Sequence, residues 1–188
     1  FFQGIQARAR LENDNAVEFF LRPDGFSWIV PESKSLARIG SVDISNPNPS
    51  FEKLLESRLG QGYKESIIEY QGGMIPLHNP KLQTAKDNIF LVGDAATMVK
   101  ATTGGGIVQG LLGAEALSDA IINRKDYRKL WREKIGKELK TALFMRKLLD
   151  EFSAQDYNLL IRGMNSKGMR QALEKYDRDT LTSLLPRL

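Results

Sequence analysis

Cysteine is absent from the 188 residues, and histidine occurs once, at His78. The first absence excludes disulfides, thiolate metal sites and cysteine nucleophiles, and it fits a reducing compartment. The second leaves no multi-histidine metal cluster. No apolar run is long enough to cross a bilayer as a helix, and no basic-then-apolar leader opens the chain. An initiating Met is missing too. Phe2-Gln3-Gly4 faintly resembles the scar of a protease site, and a start inside a longer protein fits equally well. Internal repeats and low-complexity tracts are also lacking. What remains is 41% apolar and 27% charged, the balance of a folded globular protein. The net charge of +4 suits a phosphate-bearing ligand or an anionic membrane surface, although an ordinary solvated surface explains it equally simply.

The first forty-odd residues have the alternation of an antiparallel meander. Ala7, Ala9 and Leu11 alternate with Arg8 and Arg10, and Asn13-Asp14-Asn15 supply turn chemistry. Val17, Phe19 and Leu21 alternate again before the turn at Pro23-Asp24-Gly25. Phe26 to Val30 and Leu36 to Ile44 are two further strands. Ser50 is placed to cap a helix in which Phe51, Leu54, Leu55 and Leu59 share one face, with Gly60 at its end. Ser66 to Tyr70 is another strand, leading to Gly72-Gly73 and a loop around Pro76 and Pro80.

The pattern changes near Asn88. Ile89-Phe90-Leu91-Val92 is a short apolar run of the kind buried on both faces of a sheet. Gly93-Asp94 ends it, and Gly104-Gly105-Gly106 precedes a helical period formed by Ile107, Leu111, Ala114, Leu117 and Ile121. From Asp126 a helical stripe of Leu130, Trp131, Ile135, Leu139, Ala142 and Met145 follows. Shorter helices are expected at Asp156 to Gly163 and Gly168 to Lys175, and Pro186 closes the chain.

The chemistry lies in the strand, loop, glycine cluster and helix between Leu91 and Ile107. A carboxylate beyond a strand, Asp94, can accept hydrogen bonds from ligand hydroxyls, and Gly93 lets a ligand approach the backbone. The glycine cluster frees N–H groups at a helix start, where the helix dipole also favours negative charge. A cofactor with a sugar chain and an electron-rich end would use both. Gly-Asp alone is as readily a helix cap, and three glycines alone are a weak signal. The pair at this spacing is far more specific.

Residues 71–121 resemble the C-terminal flavin motif of the geranylgeranyl reductase family, within the para-hydroxybenzoate-hydroxylase-like flavoproteins. Lys100-Ala101-Thr102-Thr103-Gly104-Gly105-Gly106-Ile107 is similar to a string of its archaeal members, the digeranylgeranylglycerophospholipid reductases. Gly72-Gly73-Met74-Ile75-Pro76 resembles the family's Gly-Gly-x-Ile-Pro segment. Gly25-Phe26-Ser27-Trp28-Ile29-Val30-Pro31 is similar to its Tyr-x-Trp-x-Phe-Pro motif, departing at Phe26 and Val30. Ala101 stands where related hydroxylases carry proline, which favours the reductase branch.

The resemblance implies an α+β fold in three parts: a substrate-domain sheet and helix over residues 1–80, a strand, loop and helix of the FAD domain over 81–125, and a helical region over 126–188. It implies FAD as cofactor, with Asp94 on the ribityl chain and Gly106 and Ile107 on the isoalloxazine edge, supported by Gly93, Gly104 and Gly105. Phe26, Trp28 and Pro31 would line the cavity for an isoprenoid lipid substrate. The implied protein is cytoplasmic, can meet a membrane peripherally, takes electrons from an external donor and has no nucleic-acid partner. No catalytic residue is identified.

The family's Gly-x-Gly-x-x-Gly fingerprint, which holds the FAD pyrophosphate, occurs nowhere in this chain. Half a flavin site is therefore expected, one that holds FAD weakly by itself. Two further enzyme readings stay open, an electron-transfer-flavoprotein:quinone oxidoreductase-like protein and a hydroxylase. A non-catalytic lipid- or partner-binding module is a third. His78 is expected to be solvated, and Lys100 to be exposed.

Overall fold

The computed structural model describes residues 1–169 and 171. Asp177-Arg178-Asp179, Pro186 and the end of the Gly168 to Lys175 helix lie outside the described residues. The chain divides into two units, Phe1–Ile75 and Pro76–Leu188.

The first unit is a five-stranded antiparallel sheet with one helix. Its strands are β1 (Phe2–Arg10), β2 (Glu18–Arg22), β3 (Gly25–Ser33), β4 (Leu36–Asp43) and β5 (Ile67–Ile75), and α1 is Asn48–Leu59. The order is β2-β3-β4-β1-β5, so the expected simple meander is wrong. β1 pairs with β4 and β5 rather than with β2. Between β1 and β2, Asn13 Oδ1 accepts from the Asn15 amide, Asp14 Oδ1 from the Ala16 amide, and the Asn13 side-chain amide donates to the Leu11 and Ser33 carbonyls. Pro23-Asp24 makes a tight hairpin, with Asp24 in the left-handed region at φ 68° and Arg22 opposite Gly25.

Helix α1 starts at Asn48 behind Pro47, three residues before the start that a Ser50 cap would give, and Ser50 is not its cap. Phe51, Leu54 and Leu55 pack on Ala7, Ala9, Ile29, Ala37 and Ile39, which makes one face of the sheet the core. β5 runs on through Gly72-Gly73 to Ile75.

In the second unit, β6 (Ala85–Lys86) pairs with β7 (Ile89–Phe90). Ile89 and Phe90 are exposed, so the strand expected to be buried on both faces is not buried within this chain. The helices are α2 (Ile107–Asn123), α3 (Tyr127–Trp131), α4 (Lys137–Asp150) and α5 (Ala154–Met164), with a π-helical turn at Arg132–Gly136 between α3 and α4. Asp126 caps α3 by accepting from the Arg128 and Lys129 amides. Ser153 and Asp156 form a capping box on α5. Trp131, Ile135 and Leu139 join Ala96, Met98, Ala116, Ala120 and Tyr127 in a core, as the stripe predicted.

Helix α2 leaves much of its periodic stripe open: Ile107 is 82% exposed, Leu111 67% and Ile121 63%, while Leu117 packs partly on the core. The buried face carries Gln109, Gly113, Ala116 and Ala120 instead. Small residues are needed there because a Cβ on Gly113 would stand 2.4 Å from the Met98 sulfur.

Candidate functional site

The segment after β7 folds into a short 3-10 turn, Gly93–Ala96. Val92 enters it extended and Gly93 has φ 63°, a left-handed conformation natural to glycine. Thr97 leaves it at φ 52°, its amide donating to Asp94 and the Met98 amide to Gly93. This turn presents Asp94 at the surface.

A second tight turn follows. The Lys100 amide donates to Gly105, and the Thr103 and Gly104 amides donate to Lys100. Gly104 takes φ 68°, and the Gly105 amide reaches the Thr103 hydroxyl at 3.2 Å. The N–H groups of Gly104 and Gly105 are thus used inside the turn. Their part is to shape it. Lys100 is buried, contrary to expectation, and its stem runs under Gly105, 3.8 Å from where a Cβ there would lie.

Gly106 is the N-cap residue of α2, and the helix opens at Ile107 as the sequence predicts. Gly106 has no capping side chain and no acidic residue lies in the first turn, so the first amides of the helix are left open. A Cβ added to Gly106 would sit 3.0 Å from Asp94 Oδ1 and 3.0 Å from Val99 Cγ2. The fold therefore sets the Asp94 carboxylate beside the helix start, although about a dozen residues separate them in sequence. A surface carboxylate that accepts hydroxyls, next to uncapped amides that donate to an electron-rich ring, fits a flavin's polyol chain and ring edge.

His78 was misread from sequence. It is only 4% exposed, with Nδ1–H donating to the Thr97 carbonyl at 3.0 Å and its ring edge-on to Trp131. The neighbouring Asn79 amide donates to the Thr97 hydroxyl. The loop thus holds the residue that closes the Asp94 turn. Sequence carries no signal for this, because the contact spans nineteen positions, from 78 to 97.

In the first unit, Phe26 and Trp28 share the sheet face opposite α1. Their ring centroids lie 5.8 Å apart, and Phe19 joins them 6.2 Å from Phe26. Trp28 reaches across β4 so that Nε1–H meets Gln6 Oε1 at 3.3 Å. Beside it, Gly4, Gly72 and Gly73 floor a shallow trough of about 240 Å³. Pro31 is separated from the aromatic pair: it falls in register with buried Ala37 on the core side. The three expected substrate contacts do not form one surface.

No family model matches the chain. It is 30% identical over 164 residues to digeranylgeranylglycerophospholipid reductase 2 of Methanothermobacter thermautotrophicus, covering 78% of this chain and 41% of that protein. It is 30% identical over 176 residues to the digeranylgeranylglycerophospholipid reductase of Methanothrix thermoacetophila, covering 82% and 44%. The chain thus spans less than half the length of these curated relatives. Among solved structures it resembles a geranylgeranyl bacteriochlorophyll reductase-like protein of Thermoplasma acidophilum, with TM-score 0.71 and 22% identity over 98% of this chain and 55% of that one. The chain is homologous to the archaeal reductases, and its α+β fold is shared with the Thermoplasma protein.

Proposed function

We propose that this homologue of the archaeal digeranylgeranylglycerophospholipid reductases is the C-terminal part of an FAD-dependent reductase that saturates carbon–carbon double bonds in isoprenoid lipids. The observation that carries the reading is the Asp94 carboxylate lying beside Gly106 at an uncapped helix start. Asp94 would accept from the ribityl hydroxyls, and the Gly106 and Ile107 amides would donate to the pyrimidine edge of the ring. Those amides and the α2 dipole favour an anionic ring, so this chain's contribution is to hold the flavin and stabilise its negative charge. When bound, FAD supplies the hydride. Phe26 and Trp28 give the sheet an apolar face suited to an isoprenoid chain. Among the described residues no helix is long and apolar enough to cross a membrane.

The full-length protein tests this directly. It should purify with a flavin spectrum and, when chemically reduced, add hydrogen pairwise to a geranylgeranyl lipid, read by mass spectrometry. Flavin without reduction of any isoprenoid would favour the hydroxylase or quinone-reductase alternatives. Lipid binding without flavin would favour a non-catalytic module.

A further inference from the structure

The second unit holds a cleft that shares no lining residue with the Asp94–Gly106 site. It has a volume of about 390 Å³ and is lined by His78, Pro80, Trp131, Arg132, Gly136, Lys137 and Lys140. Among the described residues, no carboxylate lines it. Three cations therefore face one space, and none of them makes an ion pair among the described residues. Nearby acids are engaged elsewhere: Glu133 pairs with Lys129, Glu115 with Lys134, and Glu138 is buried with a partner.

The backbone explains how the cations meet. In an ordinary α-helix, residues five apart diverge by about 140° around the axis. The π turn at Arg132–Gly136 closes i to i+5 and carries Lys137 back over Arg132. Lys140 follows one turn later. A π turn is a rare conformation, often found at functional sites, and like charges gathered on one helix face destabilise it. Both costs are offset if an anion occupies the cleft. Arg132 lies over Trp131, its guanidinium carbon 5.1 Å from the ring centroid, and a guanidinium is a planar fork suited to pairing with two oxygens. His78 is anchored from behind by Thr97, which leaves Nε2 as its other polar atom.

We propose that this cleft binds the phosphate group of a small ligand, with Arg132, Lys137 and Lys140 as its cationic walls and His78 as its proton-linked partner. The inference stands apart from the flavin reading and survives if that reading fails. The groups facing His78 are the Thr97 carbonyl behind it, Trp131 on α3, and Lys140 with the other two cations on the π turn and α4. Burial holds His78 below its usual pKa, and the Lys140 charge lowers it further, while the Thr97 bond opposes both. A bound dianion reverses the balance by favouring the imidazolium. Binding therefore takes up a proton, and affinity rises as pH falls.

Because His78 is the one histidine of the sequence, its imidazole gives a single NMR resonance in histidine-labelled chain. Its pKa is measured in chloride and in sulfate at equal ionic strength, sulfate being an anion whose own charge does not change over the titration. We expect sulfate to raise the His78 pKa by about one pH unit or more, a tenfold tighter hold on the protonated form. The Lys137→Gln/Lys140→Gln variant, altered only at exposed positions, should lose that rise. An unchanged pKa in sulfate overturns the proposal, as does an equal rise in the variant. Inorganic phosphate, glycerol 1-phosphate and adenosine monophosphate then identify the source. Preference for the second points to a lipid headgroup, preference for the third to a nucleotide, and equal affinity to free phosphate. Failure of all three to bind would overturn it.

Discussion

The indole of Trp28 lies against Gly40, so close that a Cβ at position 40 would stand 2.2 Å from Cζ2 and 2.4 Å from Cε2. The two residues face each other across β3 and β4. Gly40 is what lets the indole cross the neighbouring strand and reach Gln6. Gly40→Ala should displace the ring and destabilise the first unit by about 1–3 kcal/mol, the usual cost of overpacking. Urea unfolding measures the loss, and Trp28 emission in a Trp131→Phe background reports the displacement. Pairing Gly40→Ala with Trp28→Ala should recover much of the stability; additive losses would contradict the contact.

Asp94→Ala should weaken FAD retention in the full-length protein, because hydrogen bonds to a charged acceptor contribute about 1.5–3 kcal/mol each. Gly106→Val should do the same by another route, since its side chain would drive the Asp94 carboxylate away. Flavin content after dialysis reads both. Wild-type flavin content in either variant would count against the assignment.

The chain alone should self-associate and bind FAD poorly. Ile107, Leu111, Ile121 and Ile122 form a contiguous open stripe on α2, with Ile89 also exposed. Leu111→Glu/Ile122→Glu should shift sedimentation toward monomer without loss of helix signal. Titration with FAD, followed by flavin fluorescence, should show no saturable micromolar binding. A monomer that does bind at that level would mean the site is more complete than half.

Tyr127 should make stability fall at alkaline pH. Its hydroxyl donates to the Leu91 carbonyl at 2.6 Å, and burial pushes its pKa up to about 12 from 10.0. The neutral phenol is the form the fold favours, so its contribution is complete below pH 10 and is lost as pH rises toward 12. Tyr127→Phe should remove that part of the pH dependence. It should also cost about 1–3 kcal/mol at neutral pH, because the Leu91 carbonyl loses its donor. Denaturant midpoints across pH 9 to 12 check both.

Local chemistry was legible where neighbours in sequence decide it. The alternation of Phe26 to Val30 made a strand, Asp24 made a hairpin, Gly60 ended α1, and the glycine cluster opened α2 at Ile107. Long-range partners were not legible. Asn13-Asp14-Asn15 do make a turn, but nothing local to them says that β1 pairs on the far side of β4. His78 sits among prolines and polar residues, and only Thr97 and Trp131 show why it is buried. The apolar period of α2 marks a face without saying what covers it. The close seat on Met98 selected the glycine and alanine face instead.

The sequence alone determined an α+β chain without cysteine chemistry, with an Asp94 turn and a glycine-led helix about a dozen residues apart. Those are short-range matters of backbone conformation, residue size and charge. Tertiary structure decided the rest: that Asp94 lies beside Gly106, that Pro31 faces away from Trp28, that Lys100 and His78 are buried, and that a π turn gathers Arg132, Lys137 and Lys140 around one cleft. Each depends on which distant segments pack together. Burial and proximity are properties of the folded chain, and residue order carries them only through the whole set of contacts that forms at once.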